Sequence, residues 1–161
     1  MSLSVDINFS DRRWKEVAKK NVILGIIKNT LNYDNLLDIK YNNIDISILL
    51  TNAEQMRHLN KNFRNKDYPT NVLSFPCGGD ESSKFNTNIL YIGDMAFGYD
   101  VILQESLDEN KTFINHFTHL IVHGVLHLLG YDHESTNDAM QMQATEVNIL
   151  HQLGIKNPYL I

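Results

Sequence analysis

Residues 112–133 read TFINHFTHLIVHGVLHLLGYDH. From about Thr112 to Leu129 the apolar spacing is helical, and Leu120, Ile121, Val122, Val125, Leu126 and Leu128 make its second half strongly apolar. Gly130 is placed to end that helix in a left-handed conformation and turn the chain back.

Working toward the N-terminus, the period changes from helical to twofold. Leu3, Val5, Ile7 and Phe9 alternate with polar residues, and Ile44, Ile46 and Ile48 do so again up to about Leu50. Val72, Leu73 and Phe75 form a short strand stopped by Pro76, and Ile89–Tyr99 reads as a further strand or hairpin arm with a bulge at Gly93. Between these, Ser10 or Asp11 caps a helix that carries Trp14, Val17, Ala18, Val22, Ile26 and Ile27 to the core. Thr51 or Asn52 caps another, through Met56, Leu59 and Phe63. Arg64–Thr70 reads as a loop and Gly78–Asn88 as a flexible excursion. Helical spacing also covers Asp100–Leu107 and Thr136–Leu153. Strands before residue 100 and helices after it predict an α+β fold. The expectation is one domain over residues 1–161, with a mixed sheet of about four strands covered by helices.

Composition narrows the function. The 161 residues carry 14 Lys and Arg against 19 Asp and Glu, a net charge of −5, so bulk charge cannot bind nucleic acid and a local basic patch would be needed. Residues 1–80 carry +2 and residues 81–161 carry −7. A single cysteine, Cys77, rules out an intramolecular disulfide and thiolate-rich zinc modules, which suits a reducing compartment. Met1–Ser10 lacks the pattern of a signal peptide and no run is apolar enough to span a membrane, so a soluble cytoplasmic protein is expected.

Five of the seven histidines, His116, His119, His123, His127 and His133, fall within eighteen residues. His123 and His127 lie one turn apart on one helix face, and the turn at Gly130 can bring His133 to them. Three imidazoles without a thiolate match a catalytic zinc site, which keeps a fourth position open. The candidate metal site therefore sits at the end of a helix in the C-terminal half. The same spacing occurs in zinc peptidases, where a Glu base follows the first His; here Gly124 stands there, which argues against proteolysis. His119 competes for ligation and otherwise serves beside the ligands or the substrate, whereas His58, His116 and His151 read as surface residues.

The run His123–His133, HGVLHLLGYDH, resembles the signature of the YbeY endoribonuclease family. Leu59, Asn60, Phe63, Arg64, Asp67 and Thr70, followed by Val72–Pro76, are similar to a second diagnostic stretch, Ile92–Asp94 to a third, and Met142, Glu146, Ile149, Leu150, Leu153 and Gly154 to the terminal helix. The resemblance implies a metal-dependent endoribonuclease specific for single-stranded RNA. It also implies a role in maturing the 3′ end of small-subunit ribosomal RNA and in ribosome quality control, with ribosomal subunits as partners and no DNA. One Zn²⁺ per chain on His123, His127 and His133 is implied, although an all-His set also accepts other divalent transition metals. The family usually has Asp where this chain has Asn71, which removes a charge that could orient Arg64 or a ligand.

Phosphodiester cleavage must offset charge building on phosphorus. Arg64 is permanently cationic and can fork onto two phosphate oxygens, so it is the candidate catalytic and substrate-binding residue, with Lys61 as a second substrate contact. Arg57, Lys61, Arg64 and Lys66 form an acid-free basic run, a pattern that also describes a solvated helix face. Asp132 is a candidate to orient a ligand imidazole or to cap a turn. Two other functions compete: a ribosome-associated assembly factor with a mainly structural metal, and a metal-dependent hydrolase of another substrate.

Overall fold

Alternation of apolar and polar residues builds the sheet. In β2 (Asn43–Thr51), Ile44, Ile46, Ile48 and Leu50 are buried on one face while the residues between them are only partly covered. β2 pairs in parallel with β1 (Ser2–Phe9) and with β4 (Ile89–Gly98), and β3 (Val72–Pro76) pairs antiparallel with β4. The sheet is therefore mixed, in the order β1-β2-β4-β3. The computed structural model describes residues 2–33, 43–77 and 89–160. The excursion expected over Gly78–Asn88 lies outside them.

Parallel neighbours cannot be joined by a tight turn, so helices occupy the crossovers. α1 (Trp14–Val17) and α2 (Lys20–Asn32) lie between β1 and β2, and α3 (Ala53–Arg64) follows β2. After the sheet come α4 (Tyr99–Asp108), α5 (Phe113–Leu128) and α6 (Thr136–Gln152). The α+β class and the four-stranded mixed sheet agree with the expectation. Asn52, rather than Thr51, caps α3, its side chain accepting from the Gln55 amide at 3.0 Å.

The single helix expected from residue 10 to 27 is two helices. Ala18 and Lys19 are extended and separate α1 from α2. In an unbroken helix Ala18 and Val22 would share a face; the break shifts the phase, so Ile23 is buried and Val22 is 41% exposed. Trp14 anchors the short piece, donating Nε1–H to the Thr51 carbonyl at 2.8 Å and packing edge-on against Tyr99 and Phe113.

α5 is apolar around most of its circumference and is accordingly the central helix. Phe117, Ile121, Val122, Val125 and Leu126 are fully buried, and the helix touches α2, α4, α6, β3 and β4. A smaller cluster of Met56, Leu73 and Ala96 packs α3 against the sheet. Phe63 stays largely exposed on α3, its ring edge-on to Phe75 at 5.3 Å.

Gly93 is where β4 bulges, as expected. Asp45 pairs with Tyr91 and Ile46 with Gly93, leaving Ile92 as the extra residue. At φ +144 a Cβ on Gly93 would lie 2.4 Å from the Phe75 carbonyl oxygen and 2.8 Å from Leu128 Cδ2. The bulge thus lets the end of α5 sit close on the β3–β4 edge.

Candidate metal centre

The C-terminus of α5 places the first two histidines and its cap places the third. Gly130 adopts φ +100, its amide donating to the His127 carbonyl and the Tyr131 amide to the Leu126 carbonyl, each at 3.0 Å. This paired closure of the last turn requires a left-handed residue, and it sends the chain back over the helix end. His133 consequently returns to the pair. One ring nitrogen from each of His123, His127 and His133 lies within 4.8 Å of the others.

The hydrogen bonds behind the rings decide which nitrogens face inward. His123 donates Nδ1–H to the Glu146 carboxylate, and His127 donates Nδ1–H to the Tyr131 carbonyl at 2.9 Å. Both Nε2 atoms are thereby turned away from those partners, and they face each other at 3.0 Å. Nitrogens at that separation either share a proton or flank a bound cation. The donor set fits a divalent transition metal: three imidazoles, with an open side toward solvent. Burial first, and then the neighbouring His123 and His133, lowers the His127 pKa and keeps it in the neutral form a ligand needs.

Glu146 is the residue that sequence reasoning matched to a family pattern without giving it a role. It lies on α6, fully buried among Met142, Ile149 and Leu150. Burial alone would raise its pKa, but the His119 imidazole 3.6 Å away and hydrogen bonds from His123 and Tyr159 outweigh it and hold the pKa at about 2. Its signal was present in the sequence, as a carboxylate on the apolar face of an amphipathic helix.

Other histidines depart from expectation. His116 is buried, not a surface residue, and donates to Glu105 at 3.0 Å. Asn71 donates to the same carboxylate at 2.9 Å and accepts from the Val72 amide, so it ties β3 to α4 and makes no hydrogen bond to Arg64. Burial raises the Glu105 pKa, and the His116 and Asn71 hydrogen bonds more than offset that. His119 lies beside Glu146 and Tyr159 and outside the triad. Asp132 accepts from the His133 amide at 2.7 Å, so it caps the turn; Tyr131 is what orients His127.

Arg64 lines the same open cleft as the triad, with Ser74, Asn71 and Tyr131, and the cleft measures about 480 Å³. Its Nη2 donates to the Ser74 carbonyl at 3.1 Å, and the Ser74 hydroxyl donates to the Gly124 carbonyl at 3.2 Å. The guanidinium is thereby tied through β3 to the helix that carries His123 and His127. Lys61 is exposed one turn earlier on α3 and is absent from the cleft lining. Arg57 is not free, because Asp67 takes it in a forked pair at 2.7 and 3.2 Å, which reduces the basic run to Lys61, Arg64 and Lys66.

Gly124 has a steric reason. A Cβ there would lie 2.7 Å from Met95 Sδ and 3.1 Å from Ser74 Oγ, so the position faces the sheet and a Glu base could not occupy it. Gly124→Ala should gain about 1 kcal/mol of helix propensity and lose about 1–3 kcal/mol to overpacking, a net destabilisation measured by urea unfolding. A stabilised Gly124→Ala variant would show that the two layers are not in tight contact.

The profile of the family described as Endoribonuclease YbeY matches residues 6–154. Endoribonuclease YbeY of Acinetobacter baumannii (strain AB307-0294) is 40% identical over 160 residues, covering 99% of each chain. The chain belongs to the YbeY family. A solution structure of a Thermotoga maritima protein is similar at 21% identity, covers 93% of this chain and 91% of its own, and has a TM-score of 0.53, a likeness of fold. The YbeY match contains every residue of the cleft named above. No helix among the described residues is long and apolar enough to cross a membrane.

Proposed function

We propose that residues 1–161 form one metal-dependent endoribonuclease domain that cuts single-stranded RNA in the cytoplasm. The observation that carries this reading is one open cleft holding both the inward-facing histidine triad and Arg64. The full-length similarity to a YbeY endoribonuclease supports the substrate class. His123, His127 and His133 hold one Zn²⁺. When bound, the ion supplies a water that ionises near neutral pH and polarises a phosphoryl oxygen.

The chain's own residues do the rest. Arg64 donates to the phosphate oxygens that gain charge, and its tie to Ser74 keeps it aimed before substrate arrives. Tyr131 and Glu146 hold the ligand rings in one tautomer. With Gly124 against the sheet, no side chain at that position contributes a base. The substrate proposed is ribosomal RNA at the 3′ end of the small-subunit molecule, with the ribosomal subunit as partner and ribosome quality control as a second role.

The test is cleavage of a single-stranded RNA oligonucleotide by purified protein before and after chelation. Activity should vanish on metal removal and return with Zn²⁺. Undiminished cleavage after complete metal removal would overturn the reading, as would metal-dependent hydrolysis of peptides with RNA left intact. Salt provides a second expected result. Three cations with no acidic partner among the described residues, Lys61, Arg64 and Lys66, give a log affinity against log salt slope of about −2 for single strands, at roughly −0.7 per phosphate contact. A salt-independent affinity for RNA would contradict that contact set.

A further inference from the structure

The C-terminal end of the chain reaches the back of the metal centre. Beyond α6, Pro158 accepts from Lys111 Nζ at 3.2 Å, which ties the segment to the body of the protein, and the Tyr159 amide donates to Asn157 Oδ1 at 2.9 Å in a local turn. The Tyr159 ring is then edge-on to His119, with centroids 5.5 Å apart. Its hydroxyl reaches inward to Glu146, whose carboxylate has no exposure to solvent. Tyr159 also borders a small cavity of about 130 Å³ shared with His123, His133 and Met142.

Counting protons gives the group a direction. Glu146 is ionised and can only accept, so Tyr159 must donate its one O–H to Oε2 while His123 donates Nδ1–H to Oε1. The Tyr159 oxygen is then left to accept, and His119 Nε2–H lies 3.3 Å from it. The chain of donors runs His119 to Tyr159 to Glu146, and Glu146 is met from its other oxygen by His123.

We propose that Tyr159 is a positioning residue for the metal centre: by holding Glu146, it fixes the tautomer and aim of His123 and so raises the metal affinity of the triad. The inference rests on the metal-site reading above and adds to it a control from the C-terminal segment. Without the phenol, the buried carboxylate keeps one hydrogen-bond donor in place of two and is free to rotate, which leaves His123 less well aimed.

The experiment measures Zn²⁺ affinity by competition with a chromogenic chelator, and the absorption spectrum of the Co²⁺-loaded protein, for wild type, Tyr159→Phe, Glu146→Gln and the double variant. Partners of metal-binding histidines typically matter by 10–100-fold. Glu146→Gln should fall in that range and Tyr159→Phe, one bond further out, should weaken binding by about 10-fold. In the Glu146→Gln background Tyr159→Phe should add little, because the two act on His123 in series. Circular dichroism checks that each variant is folded, and the ring retained in Phe preserves the packing on His119. Wild-type affinity in Tyr159→Phe, or an equal loss in both backgrounds, overturns the proposal. Wild type that binds no Zn²⁺, or binds it unchanged after His123→Ala, overturns the metal site itself and the relay with it.

Discussion

His127→Ala should bind Zn²⁺ at least ~100-fold more weakly than wild type and cut single-stranded RNA at the background rate, since binding free energy at such sites is large and one of three protein ligands is gone. The structure makes this loss hard to compensate. His127 Nε2 faces His123 Nε2 at 3.0 Å, and His119, the nearest spare imidazole, is already engaged with Tyr159. Chelator competition and a cleavage assay on the same preparation would check both halves, and full activity in metal-depleted His127→Ala would refute the site. Acid should act in the same direction as the mutation. The His127 pKa lies below its ordinary 6.5, so below that pH the unfolded chain takes up a proton that the fold resists. The stability tied to this group is complete above pH 6.5 and declines as pH drops toward the folded value, and metal is released as the imidazole protonates. Glu146 adds a second, more acidic window: its contribution is present above its ordinary 4.5 and lost as pH falls toward about 2.

Arg64→Ala should reduce kcat on a single-stranded oligonucleotide by about 10²–10³-fold, the effect of removing one preorganised donor from a developing charge. Zn²⁺ affinity should remain that of wild type, because Arg64 contacts the Ser74 carbonyl and not the ligands. That contrast separates it from the histidine variants. Arg64→Lys should recover only a small part of the rate, since an ammonium cannot fork onto two oxygens while also holding Ser74. A wild-type kcat in Arg64→Ala would remove the residue from the reaction and leave it as a tie between α3 and β3.

The histidines are legible in the sequence by their spacing, whereas Arg64 is singled out there by the family resemblance. His123 and His127 four apart, Gly130 at the stop and His133 three further on form a local code, written in helix period and cap chemistry. The alternation in β1 and β2 and the bulge at Gly93 are local in the same sense. The break at Ala18–Lys19 was not legible, because the apolar residues fit an unbroken helix almost as well. What selects the break is Trp14 reaching the Thr51 carbonyl across 37 positions. His116 reads as a surface residue in the sequence for a similar reason: its partner Glu105 lies on another helix.

The sequence by itself determined that three imidazoles and an arginine would be available, and that the chain would be an α+β protein with the histidines at a helix end. Only the tertiary structure decided how they are used. It paired Arg57 with Asp67 and left Arg64 to the cleft, set Gly124 against Met95, and brought Glu146 and Tyr159 from the last helix and the segment after it to the back of His123. Period and capping are encoded within a few residues of the chain, whereas hydrogen-bond partners are chosen by packing between layers. A ligand set of the first kind can be read along the sequence; the groups that orient it are known only once the layers meet.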